Sequence, residues 1–288
     1  MANLRDLRKR ISTVKSTKQI TKAMKMVSAS KLRRSQDSLL QTRPYAYKVI
    51  GILNNLKERM DVLDHPLLRK REIKKTRILV VSSDRGLCGA YNSNIIKKAE
   101  SYFREAELNE ENSVFDFAGK KAYEYFKKRY KNISDNYRME ANPTYDYAVY
   151  VADRLMANYM EGDFDSLVVI YNEFKSAMTQ KIVVERMFPI MPPEYSEELI
   201  TDQYLYEPNK EKIIAEMLPK YVRIEIFRIL LESVASEHGA RMTAMDNATR
   251  NSDEMMKKLS LTYNRRRQAA ITTELSEIVG GKEALEHG

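Results

Sequence analysis

Two segments of this chain are written without the residues that end a helix. Residues 1–43 and 220–288 contain no proline, and their only glycines are Gly239, Gly280, Gly281 and the last residue, Gly288. Proline removes a backbone donor and clashes with the preceding turn, and glycine costs about 1 kcal/mol relative to alanine inside a helix, so both ends are expected to be long helices. A helix from about Asn209 to Leu285 would extend roughly 115 Å at 1.5 Å per residue. A rod of that length cannot fold back into a globule. It must lie along a partner, and the N-terminal helix of the same chain is the nearest candidate.

The apolar spacing agrees. Leu4, Leu7, Ile11 and Val14 keep intervals of three and four, and Ile20, Met24 and Val27 are expected to continue the stripe with slight drift. In the C-terminal segment Ile224, Leu231, His238, Met245, Ser252, Leu259, Arg266 and Thr273 share one heptad position. Arg228, Ala235, Met242, Thr249, Met256, Tyr263, Ala270 and Glu277 share its partner. A sustained seven-residue register gives a left-handed coiled coil. The seam is weak, however, because Ser252, Arg266, Thr273 and Glu277 stand where a strong zipper has Leu or Ile, and such a pair needs an outer sheath.

Charge is concentrated at one end. Residues 1–34 carry eleven Lys or Arg against the single acid Asp6, a net of +10 in a chain whose total is +9. A basic helix suits an acidic partner, whether nucleic acid, anionic lipid or an acidic protein surface. One cysteine, Cys88, excludes an intrachain disulfide and fits a reducing compartment. No run of 18 apolar residues is present, so no membrane-spanning helix is expected. The Arg-rich start also fits a transit peptide, but it runs straight into a long amphipathic helix, and mature structure is the expectation.

Between the helical ends the pattern changes. Residues 77–83 (RILVVSS) read as a buried strand, followed by a Gly-containing loop at 84–89 and a helix at about 92–107. Residues 114–118 and then Gly119 with a helix to Tyr130 repeat that order. A further helix is expected at about 145–160, and strands at 166–174 and 180–188. This alternation implies an α/β domain with a mostly parallel sheet. The expected architecture is thus α/β plus long coiled coil: an antiparallel left-handed pair of terminal helices (1–58 and 209–286) with an inserted Rossmann-like domain at 75–207.

No catalytic set emerges. The loop Ser83-Asp84-Arg85-Gly86-Leu87-Cys88-Gly89 sits where α/β proteins bind phosphate on helix N-terminal amides, but it lacks the dinucleotide spacing, and no phosphate-cradling GxxxxGK[ST] occurs in the chain. A tight turn that needs two permissive residues is the expected reading of it. Cys88 has only His65, His238 and His287 as possible bases, none in a catalytic context, and these four residues offer no metal-ligand spacing. Neither a catalytic residue nor a cofactor or metal site is expected. The cluster Arg265-Arg266-Arg267-Gln268 is either a solvated face or a set of guanidinium forks for carboxylates or carbonyls of an enclosing protein.

Several segments, in order along the whole chain, carry a family resemblance. Residues 22–27 (KAMKMV), 83–89 (SDRGLCG) leading to Asn92, 204–208 (YLYEP), 237–249 and 263–279 (YNRRRQAAITTELSEIV) resemble the gamma subunit of rotary F-type ATP synthases. The resemblance implies a non-catalytic central shaft, one copy inside a ring of three alpha and three beta subunits. Its turning would couple proton flow to ATP synthesis on the beta subunits. It further implies that Met24 and Lys25, with Arg241 opposite, meet beta-subunit levers. Arg267, Gln268 and Thr272 would form an upper contact with a beta-subunit loop, and Arg85 and Cys88 would face an acidic beta-subunit segment. The α/β domain would meet the epsilon subunit and the membrane rotor (c) ring. Chloroplast relatives carry an added cysteine pair; with Cys88 alone, thiol regulation of that kind is not expected, and a bacterial complex at the cytoplasmic face of the plasma membrane is. The rival from another class is a basic coiled coil that binds nucleic acid.

Overall fold

The computed structural model describes residues 4–55, 65–69, 71–191 and 210–286. In chain order its elements are α1 (Leu4–Asn55), β1 (Thr76–Val81), α2 (Tyr91–Glu105), β2 (Ser113–Ala118), α3 (Lys120–Phe126), β3 (Ile133–Tyr137), α4 (Tyr145–Glu161), β4 (Ser166–Phe174), β5 (Gln180–Phe188) and α5 (Lys210–Glu286). The expected YLYEP stretch at 204–208 lies outside the described residues. The chain divides into two compact units, residues 1–27 with 242–288, and residues 28–241.

The larger unit is built on a five-stranded sheet of order β3-β2-β1-β4-β5. The pairs β1–β2, β1–β4 and β2–β3 are parallel and β4–β5 is antiparallel. Every residue of β1 and β2 is buried, as expected of strands covered on both faces. Side chains alternate between those faces. Ile78 and Val80, Phe115 and Phe117, and Val168 and Ile170 pack with Ile95 and Ala99 of α2 and Ala122 and Phe126 of α3. Leu79, Val81, Leu167 and Val169 point the other way, into a core shared by Val151 and Leu155 of α4, Val49 and Leu53 of α1, and Ile214, Leu218, Val222 and Ile226 of α5. Within this second face Arg77 and Asp116 form a buried pair 3.5 Å apart, with the guanidinium 4.6 Å from the Phe164 ring.

Strands β4 and β5 fall where the alternation puts them. Strand β3 was not expected. Its sequence, ISDNY, is short and polar, and it is exposed at alternate residues on the sheet edge, so the buried-strand signal is missing. Helix α3 ends at Phe126, short of Tyr130. Both long helices also run through a proline, Pro44 in α1 and Pro219 in α5. An internal proline costs about 3 kcal/mol. Near Pro219 the side chains of Ile214, Leu218 and Val222 are fully buried, as is Leu53 near the end of α1. At roughly 1.5–3 kcal/mol each, burial of such side chains outweighs the break.

In the smaller unit α1 and α5 run antiparallel, since rising numbers on one helix meet falling numbers on the other. Arg8 Nη2 donates to Tyr263 Oη (2.8 Å), Lys18 Nζ to Asp253 (2.5 Å) and Lys25 Nζ to Asp246 (2.5 Å), and the hydroxyls of Thr21 and Thr249 share a bond of 2.8 Å. The heptad reading of α5 holds through Met245, Thr249, Ser252, Met256, Leu259 and Tyr263, all at least partly buried. It fails at Arg266, Thr273 and Glu277, which are exposed. Arg8 already faces Tyr263, and only one further turn of α1 is described beyond it, so most of α5 past this point has no described helix opposite.

Candidate partner-contact surface

The N-terminal stripe divides in two. From Val14 the inward positions of α1 continue as Lys18, Thr21 and Lys25, which preserves the three-and-four interval, and not as Ile20, Met24 and Val27. Ile20 is 60% exposed and Val27 56% exposed, with Met24 partly buried between them. The expectation that these residues continue the seam is therefore corrected. The winning register supplies ammonium and hydroxyl groups matched to Asp253, Thr249 and Asp246 on α5. Ile20, Met24 and Val27, spaced four and three apart, form a second stripe on a flank of α1. Two cations of the basic segment, Lys18 and Lys25, are thereby turned toward acids of the same chain. Lys25 and Arg250 together hold the Asp246 carboxyl below its usual range.

A similar stripe lies on α5. Ile271, Leu275, Ile278 and Val279 are exposed, Ile278 by 68%. At 100° per residue they share one face. Arg267 and Gln268 lie one turn before this stripe and Thr272 on its flank, all three exposed. The Thr272 hydroxyl donates to the backbone carbonyl of Gln268 (3.0 Å). The seam reading had hidden this face, because it assigned Thr273 and Glu277 inward; the i, i+4, i+7 spacing of Ile271, Leu275 and Ile278 was the available signal.

In the larger unit Arg85, Cys88 and Arg241 come together. Arg85 is exposed on the loop after β1, whereas Cys88 and Arg241 are buried. Burial pushes the Cys88 thiol up, and its sulfur accepts from Asn92 Nδ2 at 3.2 Å. Arg241 Nη2 donates to the carbonyls of Arg85 (3.3 Å) and Gly86 (3.1 Å) and pairs with Glu237 at 2.6 Å. Its Nη1 lies 3.3 Å from His238 Nδ1. Of this trio only the Arg85 side chain is exposed. The loop is also fixed at its root, where Ser83 Oγ donates to Arg85 O (2.6 Å) and Asn92 Oδ1 accepts from Ser83 N (3.1 Å).

The sheet order reverses between β1 and β4, and doubly wound folds bind ligands at the carboxyl ends of such strands. Here α5 fills that position. Ser236 Oγ donates to Asn172 O at the end of β4 (3.1 Å), and Tyr91 Oη, at the start of α2, donates to Ser233 O (3.1 Å). Gly239 permits the close approach, since a Cβ there would stand 3.2 Å from Ala177 Cα and 3.3 Å from the Phe174 ring. No helix among the described residues is long and apolar enough to cross a membrane.

Comparison with known proteins agrees with this architecture. A sequence model of the family described as ATP synthase matches residues 3–285. The chain is 46% identical over 285 residues to the ATP synthase gamma chain of Geotalea daltonii, covering 99% of each, and 47% identical over 289 residues to that of Anaeromyxobacter dehalogenans, covering 99% of this chain and 100% of the relative. Its fold is similar to a chain in the Euglena gracilis mitochondrial ATP synthase (OSCP/F1/c-ring, rotational state 3), with a TM-score of 0.70 at 21% identity over 98% of this chain and 94% of that one. It is also similar to a chain in the central stalk and c-ring of the Tetrahymena thermophila mitochondrial ATP synthase, with a TM-score of 0.63 at 24% identity over 80% and 99% of the two chains. With its terminal helices paired, its switch-point crevice filled from within, and near-complete coverage by these relatives, the chain belongs to the ATP synthase gamma chain family.

Proposed function

We propose that this chain is the central shaft of a bacterial rotary ATP synthase, present in one copy inside a ring of three alpha and three beta subunits. It couples ion flow through the membrane sector to ATP synthesis without chemistry of its own. The observation that carries this reading is a helix pair with Lys–Asp and Thr–Thr pairs in its seam and exposed apolar side chains on its outer faces, at Ile20 and Val27 beside the partly buried Met24, and at Ile271, Leu275 and Ile278. Exposed apolar side chains at helical spacing stabilise nothing in a free rod, and are accounted for by an enclosing protein wall.

In this reading Met24 and Lys25 meet beta-subunit levers, and Arg267, Gln268 and Thr272 meet a beta-subunit loop where the α5 stripe begins. Arg85 meets an acidic beta-subunit segment, with Cys88 and Arg241 behind it. The α/β domain meets the epsilon subunit and the rotor ring, and the complex is peripheral at the cytoplasmic face of the plasma membrane. Rotation changes which face of the shaft each beta site touches, and each site responds only to its differential contacts. Filling of the crevice by α5 favours a non-catalytic role. The nucleic-acid reading loses ground because it leaves the inserted α/β domain and the exposed apolar stripe of α5 unexplained.

The test is reconstitution with alpha and beta subunits from the same source, followed by co-elution and ATP hydrolysis. One copy per complex, with activity dependent on the C-terminal helix, is expected. No association under conditions where those subunits assemble, together with steeply salt-dependent DNA binding, would overturn the proposal.

A further inference from the structure

We propose that Arg241 is a positioning residue: it acts through the loop at residues 84–89, holding it so that Arg85 and Leu87 are presented to the partner, and does not itself reach that partner. The proposal rests on the shaft reading in one respect, that the loop meets the acidic segment of the enclosing ring.

The guanidinium is committed on every side. Its Nε and Nη2 donate to Gly86 O (3.3 and 3.1 Å), Nη2 also to Arg85 O (3.3 Å), and it pairs with Glu237 and approaches His238. Its side chain is only 8% exposed. Swinging it out would strip Gly86 O of its donor and leave Arg85 O with Ser83 Oγ alone. It would also leave the Glu237 carboxylate, whose pKa burial already raises against the pull of Arg241, without its counter-ion. A planar fork bridging two successive carbonyls is an arginine geometry that a lysine ammonium does not reproduce.

The held loop carries strain with no internal use. Leu87 has φ of 62°, a left-handed conformation that costs a non-glycine residue roughly 1 kcal/mol or more, yet its side chain is exposed by 64%. Glycine would remove the strain, and an inward leucine would repay it by burial; neither is present. An apolar side chain fixed outward beside the exposed Arg85 suits a surface with an apolar notch next to carboxylates. The loop root is held independently by Ser83 and Asn92, and Asp84 Oδ1 accepts from Lys120 N (2.9 Å), so the tip is the part that Arg241 decides.

Two measurements on Arg241→Lys, Leu87→Gly and their combination test this. In the full chain alone, Arg241→Lys is expected to speed amide exchange at Tyr91, whose N–H closes the loop by donating to Cys88 O (3.2 Å), by about tenfold, the scale of one lost charge-assisted hydrogen bond, while β1 and β4 are unaffected. In the reconstituted complex, Leu87→Gly is expected to lower proton-driven synthesis severalfold, and adding Arg241→Lys to it should lower it little further. Unchanged exchange in Arg241→Lys, or losses that multiply in the double variant, would overturn the proposal. Should Arg241→Lys fail to fold, Arg241→Gln, which keeps one donor group but not the planar fork, must give the same exchange effect, or the proposal fails. Failure of the wild-type chain to join the alpha and beta subunits would instead sink the shaft reading, and the exchange result would still decide the clamp.

Discussion

His238 should remain uncharged until the pH falls to about 4, and its own contribution should lower stability on the way there. The ring sits in the larger unit with its Nδ1 facing Arg241 and its Nε2 buried without a partner among the described residues. Burial lowers its pKa from 6.5 to about 4, and the positive charges of Arg241 and Lys31 add to the effect. Above pH 6.5 the ring is neutral whether the chain is folded or unfolded, and costs nothing. Between 6.5 and 4 the unfolded chain binds a proton that the folded chain does not, so stability falls as pH falls. At 1.36 kcal/mol per pH unit the full penalty is about 3 kcal/mol. Asp116 works in the opposite sense. Burial raises its carboxyl from 3.8 to about 6, so its contribution falls as pH rises over that interval, and a raw pH profile would mix the two. The difference between wild type and His238→Leu isolates the histidine. The assays are the ring-proton titration of the full chain by NMR, and urea unfolding of both proteins at about pH 7.5 and about pH 4.5. The expected result is a His238 resonance that has not titrated at pH 5, and a variant that gains about 2–3 kcal/mol relative to wild type on acidification. A ring that titrates near 6.5, or parallel stability profiles, would refute the reasoning.

Other outcomes follow from the geometry. A Cβ at Gly119, where φ is 111°, would lie 2.1 Å from the Ser82 carbonyl oxygen, so Gly119→Ala should cost more than about 4 kcal/mol or abolish folding; a melt close to wild type would contradict this. Replacing the Thr21–Thr249 pair by two leucines should stabilise the smaller unit by about 1–3 kcal/mol, read as slower amide exchange around Thr21; unchanged or faster exchange would mean that the hydroxyl pair contributes more than its burial suggests. Arg267→Glu should weaken coupling of proton flow to synthesis in membrane vesicles more than it weakens assembly, and unchanged synthesis would remove Arg267 from the contact surface. Met24→Glu places a charge in the outward α1 stripe and should lower ATP yield per proton; a normal yield would count against that stripe as an interface.

The elements that local pattern could specify were legible. Strands β1, β2, β4 and β5 are β-branched or aromatic runs bounded by turn residues, and α4 starts at Tyr145 as expected, where the structure shows the Thr144 side chain accepting from Tyr147 N as an N-cap. Strand β3 was illegible because an edge strand needs only one covered face, and Asp135 and Asn136 can occupy it. In the candidate surface, Arg85, Arg267 and Gln268 were singled out and are exposed, while Cys88 and Arg241 were singled out and are buried. Nothing in a one-dimensional pattern distinguishes an arginine that faces a partner from one that grips carbonyls 155 residues away.

Sequence alone determined that both ends are helical, that they carry a heptad register, and that a mostly parallel α/β sheet lies between them, because helix breakers, periodicity and β-branched runs act within a few residues. Tertiary structure alone decided which stripe of α1 becomes the seam. Ile20 and Val27 compete there with Lys18, Thr21 and Lys25, and the choice depends on Asp253, Thr249 and Asp246, more than 200 residues away, which the polar register pairs. In the larger unit, contacts to Arg85, Gly86 and Glu237 turned Arg241 inward, and bonds to Asn172 and Tyr91 laid α5 into the crevice, since burial and hydrogen-bond satisfaction are properties of the packed chain and not of any segment of it.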